Sequence, residues 1–218
     1  TVTADHVMSC AGHNETLSLC TPSIQKLPIT GKLSFVETIY VLDKQPDEFG
    51  WEDTIVFFSH NNRPRYEKPE TPIDTESGVI CFPNNYRYTK GQSLPDGFLR
   101  ITALANYDYW TSQADRDYYT QKQSAANAML ASAMRCLKEI PSATFNQSVR
   151  AQDTFTPKTI EKFTQHRGGA VYGAPDKLRD GKTSLNNLYI CGTDQGFLGI
   201  VGAILSGISM ANYHILKK

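Results

Sequence analysis

The sequence has no excess of either charge, because 22 lysines and arginines balance 22 aspartates and glutamates over 218 residues. A surface that follows nucleic-acid phosphates usually leaves a basic excess, so we expect no nucleic-acid partner. The five cysteines are odd in number and form no C-x-x-C pair. This pattern argues against a disulfide framework and against a thiolate zinc site, and it predicts reduced thiols in a cytoplasmic protein.

The sequence also has no hydrophobic run of membrane-spanning length. Its most apolar stretch, residues 198–211, has roughly 14 residues, whereas a spanning helix needs roughly 20. We therefore reject a transmembrane helix and keep, as an alternative, an apolar face that gives peripheral contact with a membrane. The chain starts inside a strand-like run that includes Val2, Ala4 and Met8, without a signal-peptide pattern. This start predicts that upstream residues were removed or lie on another chain; the alternative is a natural edge strand.

Several catalytic motifs are missing as well. There is no G-x-S-x-G elbow, no P-loop and no H-E-x-x-H, and the five histidines have no paired metal-ligand spacing. We therefore expect no metal site, and no residue can be nominated as a catalytic acid or base. No G-x-G-x-x-G follows a strand, so the pyrophosphate of a dinucleotide would need residues that this chain lacks.

The middle of the chain has a β-rich pattern. Alternating and β-branched residues predict strands over residues 33–42, 54–59, 79–82 and 98–104. A Ser/Thr cap at 111–112 and a proline at 141 predict one helix between them. Its apolar residues recur at three- and four-residue steps, and we expect them to pack on the sheet: Ala126, Met129, Leu130, Ala133, Met134 and Leu137. A neighbouring aromatic cluster either packs there or lines an apolar substrate cavity: Tyr107, Tyr109, Trp110, Tyr118 and Tyr119.

The last part of the chain has the pattern of a strand, a turn and a helix. Residues 188–191 form a short apolar run typical of a buried parallel strand, and Gly192 lets the backbone turn. The helix begins near Gly199, where free N–H groups bind anions or electron-rich carbonyls, and Asp194 is an acceptor for ribose or ribityl hydroxyls. The alternative is a plain strand–helix junction. Three glycines within residues 167–173 suit close approach to a flat ligand, or simply a joining loop.

These segments resemble the phytoene desaturase family of FAD-dependent, amine-oxidase-like flavoproteins, which stands beside carotenoid isomerases and retinol saturases. Residues 187–194 with 199–207 resemble the C-terminal flavin-binding motif of that family. Residues 4–12 resemble its strand that returns to the FAD domain after a β insertion. Residues 106–110, with the helix after them, and 155–173 resemble parts of the substrate domain and the segment leading back from it.

The resemblance implies an α/β fold of the α+β type. The C-terminal part of a FAD-binding Rossmann-type domain would join a mixed or antiparallel substrate sheet covered by helices. Residues 1–20 would hold the returning strand of the FAD-binding domain, residues 21–165 the substrate-binding domain, and residues 166–218 the C-terminal strand, turn and helix.

The resemblance also implies FAD as the cofactor. Its binding residues would be Gly192, Thr193, Asp194, Gly199, Ile200, Val201 and Gly202. The first of these would abut the pyrophosphate and ribityl region, and Asp194 would bond the ribityl chain or the diphosphate. The N–H groups of Ile200 and Val201 would face the flavin pyrimidine carbonyl. Tyr172 and Gly173 would lie beside the isoalloxazine ring.

The implied reaction is hydride exchange between flavin and a carbon–carbon unit of an apolar, polyene-like or isoprenoid-like lipid, as a desaturation, saturation or isomerisation. The enzyme would be active only with a partner, the N-terminal chain or segment that carries G-x-G-x-x-G, as a heterodimer or a processed chain. Two alternatives stay open: a FAD-dependent amine oxidase, and a non-catalytic structural partner subunit of a flavoprotein.

Overall fold

The structure is a computed structural model that describes residues 1–21, 28–62, 65–89, 91–112 and 114–216. Backbone contacts divide the chain into two units. The first unit combines Thr1–Lys32 with Ile160–Lys218, and the second is Leu33–Thr159. The domain boundaries predicted from the sequence fall after residues 20 and 165, whereas the boundaries between the two units fall after residues 32 and 159.

The described residues form strands and helices in both units, so the α+β class is confirmed. In chain order, the strands are β1 (Val7–Ser9), β2 (Ser34–Leu42), β3 (Ile55–Ser59), β4 (Ser77–Cys81), β5 (Gly97–Ala105), β6 (Val149–Phe155) and β7 (Leu188–Ile190). The α-helices are α1 (His13–Ser18), α2 (Tyr107–Ser112), α3 (Asp115–Met134), α4 (Ser142–Ser148), α5 (Pro157–Thr164) and α6 (Gly199–Ala211), the last of which continues as a π-helical turn over Asn212–Leu216.

The second unit is built on a five-stranded antiparallel sheet in the order β3-β4-β5-β2-β6. Alternate residues of β2 and β5 are buried, as a strand with one face on a core requires. Val36, Leu99 and Ile101 are fully buried in this core. Each such side chain stabilises the fold by about 1.5–3 kcal/mol through burial.

The four strands predicted in the middle of the chain are confirmed as β2 to β5. The prediction for the first strand was too long, because β1 covers only Val7–Ser9 and Val2 is 94% exposed. Strand β6 was not predicted, since only Thr154 along it is buried and its sequence shows no apolar alternation.

The single helix predicted between residues 111 and 140 is wrong in its limits. The chain forms α2 and then α3, and α3 ends at Met134. The predicted cap is also wrong: the Ser112 hydroxyl donates to the Tyr109 carbonyl at 2.9 Å, and α3 has Ala114 at its cap position, which has no side-chain acceptor. The predicted apolar face is confirmed, because Met129 and the alanines on either side of it are buried in the core, while the larger members are partly buried against it.

The first unit contains a parallel pair. Strand β1 pairs with β7 in the register Val7↔Leu188, and an antiparallel bridge, Lys182↔Tyr189, covers the other side of β7. The other edge of β1 pairs with no strand in the described part of the chain. Helix α6 follows β7 and buries Ser206 and Met210.

Most of the apolar side chains on α6 are exposed: Ile200, Val201, Ile204, Leu205 and Ile208. Among the described residues, one helix, Gly199–Leu216, is long and apolar enough to cross a membrane, by length and composition only, so the apolar stretch is longer than the roughly 14 residues counted in the sequence. A single helix of this kind is weak support for a membrane span.

Candidate functional site

The candidate site is the bend between β7 and α6, which three glycines with positive φ shape. Gly192 has φ 85° and ψ −148°, Gly196 has φ 125°, and Gly199 has φ 74°. Side chains with a Cβ rarely adopt these conformations, so the glycines set the path of the backbone here. The acidic residue of the motif, Asp194, lies inside a short 3-10 turn, Thr193–Gln195, between the first two glycines.

A buried serine of α6 fixes the start of this bend. The Oγ atom of Ser206 accepts a hydrogen bond from the Gly192 N–H at 2.7 Å, and Ser206 is fully buried. Without this bond the Gly192 N–H would be a buried donor lacking an acceptor. The sequence did not predict this contact.

The Asp194 carboxylate holds three segments of the first unit together. It is 2% exposed and accepts hydrogen bonds from the backbone N–H groups of His13 at 2.6 Å and Ala174 at 2.8 Å. The ammonium group of Lys177 lies 3.3 Å from its Oδ1 atom. A carboxylate with these donors has little capacity left for ribityl hydroxyls, so we interpret Asp194 as the residue that shapes the bend.

The other two predicted flavin neighbours, Tyr172 and Gly173, lie next to the Asp194 carboxylate and its partner Lys177. Gly173 has φ 64°, and a Cβ atom on it would overlap the Asp194 carboxylate. The Tyr172 carbonyl accepts a hydrogen bond from the Lys177 ammonium. The structure therefore brings Tyr172 and Gly173 next to the bend, with Gly173 facing a carboxylate.

The start of α6 presents an open face. No side chain in the described part of the chain caps the helix at Leu198, and Ile200 and Val201 are 82% and 70% exposed. A Cβ atom on Gly192 or Gly199 would meet no described atom within 4 Å. Of the predicted FAD residues, Thr193 is half-buried in the bend, and a Cβ atom on Gly202 would lie 3.0 Å from the backbone of Phe197.

A pair of ionisable residues in the first unit was not predicted from the sequence. The carboxylate of Glu15 lies 3.6 Å from Nδ1 of His166 and accepts a hydrogen bond from the backbone N–H of Arg167 at 2.8 Å. Burial alone would raise the pKa of Glu15, but these two interactions outweigh it and hold that pKa below its ordinary value. Glu15 in turn raises the pKa of His166. Burial lowers the pKa of His13 more than the nearby Asp194 and Glu15 carboxylates raise it.

The aromatic cluster in the second unit is at least partly structural. Trp110 is fully buried and donates its indole N–H to the Pro72 carbonyl at 3.0 Å. The Tyr118 hydroxyl lies 2.7 Å from that of Thr156, whereas Tyr119 is 75% exposed. A cavity of about 1010 Å³ in this unit is lined mainly by polar and charged residues between positions 59 and 77, which are not the lining that an apolar substrate prefers.

No protein-family model matches this chain, and no curated protein matches it. The resemblance to the phytoene desaturase family therefore stays a prediction. Among the described residues, no group of three or more histidine, cysteine, aspartate or glutamate side chains has the arrangement to hold a metal ion.

Proposed function

We propose that this chain supplies the flavin-facing C-terminal part of a FAD-dependent oxidoreductase that acts on carbon–carbon bonds of an apolar, polyene-like or isoprenoid-like lipid. One observation carries the proposal. A parallel strand leads through the Gly192 bend to the uncapped start of α6. No described atom lies within 4 Å of a Cβ position on Gly192 or Gly199, which favours close approach of a ligand to the backbone here.

The start of α6 suits the electron-rich end of a flavin. The first N–H groups of a helix have no intrahelical partners, and the helix dipole places about half a positive charge there. The N–H groups of Ile200 and Val201 would therefore donate to a pyrimidine carbonyl. Asp194 would position the backbone of the bend beside the helix, because its carboxylate accepts hydrogen bonds from the N–H groups of His13 and Ala174. A bound FAD would supply the hydride transfer itself.

The open edge of β1 supports a partner segment. A parallel pair of two strands is marginal by itself, and parallel sheets are ordinarily larger and covered on both faces. No described strand pairs with the outer edge of β1. We propose that the segment carrying G-x-G-x-x-G adds a strand there and binds the pyrophosphate, and that activity needs both segments.

We propose a cytoplasmic protein that makes peripheral contact with a membrane, and the exposed side of α6 supports that contact. Ile204 and Ile208 lie one turn apart on this helix and are 59% and 54% exposed. A contiguous exposed apolar surface of this kind marks an interaction site. An apolar lipid substrate would reach the protein from the membrane on this side.

The helix N–H donors are tested by substitutions of Ile200. The substituted chain is studied in its complex with the segment that carries G-x-G-x-x-G. Ile200→Pro removes one N–H group where proline is tolerated in a helix, whereas Ile200→Ala keeps that group and loses the same exposed side chain. We expect Ile200→Pro to weaken flavin binding by about tenfold or more and Ile200→Ala to leave it unchanged, measured by visible absorbance and titration. A native complex that stays colourless after reconstitution with FAD contradicts the proposal.

The reaction class is tested on the same flavin-loaded complex with two substrate panels. We expect turnover of polyene lipids, followed by the change in their absorbance. Oxygen uptake with amines and none with polyenes would instead identify an amine oxidase. Bound flavin that neither panel reduces would identify a non-catalytic partner subunit.

A further inference from the structure

Two cysteines lie side by side where the parallel pair ends. Cys10 directly follows β1 and Cys191 directly follows β7. The register Ser9↔Ile190 makes these two residues the next pair along the strands, and the Cys191 N–H continues the ladder by donating to the Ser9 carbonyl at 2.9 Å. The two sulfur atoms are 3.0 Å apart.

This geometry suits a direct sulfur–sulfur bond better than a shared metal ion. Neighbouring strands are about 4.7–4.9 Å apart, within the roughly 4.4–6.8 Å that a disulfide allows between its Cα atoms. The sulfurs of Cys10 and Cys191 need to approach by about 1 Å to reach a bond of about 2.0 Å. A tetrahedral zinc ion with Zn–S bonds of about 2.3 Å would hold them about 3.8 Å apart, farther than they lie here.

The two thiols have different surroundings. Cys10 is exposed, whereas Cys191 is 4% exposed. Burial, and then the neighbouring Cys10 thiol, raise the pKa of Cys191 to about 12. An oxidant from solution therefore meets Cys10 first, and Cys191 keeps its proton as the second thiol within reach.

We propose that Cys10 and Cys191 are an oxidisable dithiol, which a peroxide converts to a disulfide that joins β1 to β7. The Cys10 sulfur attacks one oxygen of hydrogen peroxide, the O–O bond breaks, and the thiol proton leaves with the displaced hydroxide as water. The Cys191 sulfur then attacks the Cys10 sulfur, the S–S bond forms, and the Cys10 hydroxyl leaves with the Cys191 proton as a second water. The two thiols lose two electrons, and the peroxide gains them.

The bond would act on the candidate site through the backbone. Cys191 immediately precedes Gly192, so the disulfide would fasten the short strand β1 to the first residue of the bend. In the thiol form a three-residue ladder holds β1 there. This inference goes beyond the proposed function, and it needs no bound flavin.

The test is a cysteine map of the full chain after brief treatment with hydrogen peroxide. The remaining thiols are alkylated, the protein is digested, and the peptides are identified by mass spectrometry with and without a reductant. We expect one reducible cross-link, between the peptides of Cys10 and Cys191, with a mass lower by two hydrogen atoms. The matched control Cys136→Ser removes another exposed thiol and should leave this cross-link unchanged.

The wild-type map decides the question even where a variant fails to fold. Full alkylation of Cys10 after peroxide treatment overturns the proposal, and so does a sulfinic or sulfonic acid at Cys10 without the cross-link. A cross-link from Cys10 to Cys20, Cys81 or Cys136, or between two chains, overturns it as well. Cys10→Ser and Cys191→Ser should each abolish the cross-link.

Discussion

Gly173 lies against the carboxylate of Asp194, and a Cβ atom on Gly173 would overlap the Oδ1 atom. The next residue, Ala174, donates its N–H to that same oxygen at 2.8 Å. The φ angle of 64° at Gly173 turns the backbone toward the carboxylate. Glycine is therefore required at this position both by conformation and by space.

Replacement of Gly173 by alanine should be strongly destabilising. The positive φ costs a residue with a Cβ about 1–2 kcal/mol, and crowding against a buried group adds about 1–3 kcal/mol. We expect Gly173→Ala to lower the free energy of unfolding by about 2 kcal/mol or more, measured by urea denaturation. Gly207→Ala is the matched control, because a Cβ at that position of α6 meets no described atom within 4 Å. Equal effects of both substitutions would show that Gly173 does not face the carboxylate.

The bond from Gly192 to Ser206 should contribute measurably to stability. Ser206→Ala leaves the buried N–H of Gly192 without its acceptor, which costs about 1–3 kcal/mol. Ser209→Ala removes an exposed hydroxyl from the same helix and should change the free energy of unfolding by less than about 0.5 kcal/mol. The same urea denaturation compares them, and identical midpoints would contradict the buried bond.

The two histidines near Glu15 should titrate on opposite sides of the ordinary histidine pKa of 6.5. The raised pKa of His166 favours its protonated form in the folded state, so its stabilisation is present below pH 6.5 and is lost as pH rises through the raised value. The lowered pKa of His13 favours the neutral form, so its stabilisation is present above pH 6.5 and is lost as pH falls through the lowered value.

Proton NMR titration of the histidine ring signals checks this pair. Glu15→Gln should lower the pKa of His166, because it removes the charge that raises it. Glu52→Gln is the control, because Glu52 is not among the groups that shift the pKa of either histidine, and it should leave both titrations unchanged. A His166 signal that titrates below His13 in the wild-type protein would contradict the arrangement.

The exposed side of α6 should bind neutral lipid vesicles. Two apolar side chains that bury in a lipid interface are worth several kcal/mol, so the double change Ile204→Glu with Ile208→Glu should reduce vesicle binding by more than about tenfold. Co-sedimentation with phosphatidylcholine vesicles measures the effect. Phe57→Glu changes a residue of β3 that is 79% exposed and should leave binding unchanged. Equal sedimentation of all three proteins would exclude α6 as the contact.

Local patterns in the sequence were sufficient for much of the second unit. Strands β2 to β5 were predicted because alternate residues meet a core and the others do not, and this period of two is visible within a single segment. The buried face of α3 was predicted because its apolar residues recur at three- and four-residue steps, which is also visible within a single segment. The limits of that helix and the existence of β6 were not, since Ser112 bonds backward to Tyr109 and β6 has a single buried residue.

In the candidate site, the sequence by itself determined the glycine-shaped bend, the strand before it and the helix after it, because glycine spacing and apolar runs act over a few residues. Only the tertiary structure decided what the bend holds. The carboxylate of Asp194 meets His13 from 181 positions away, and Cys191 meets Cys10 at the same separation. These contacts exist because β1 pairs with β7. Local sequence patterns cannot predict them, because the residues involved come close only after two distant strands have paired.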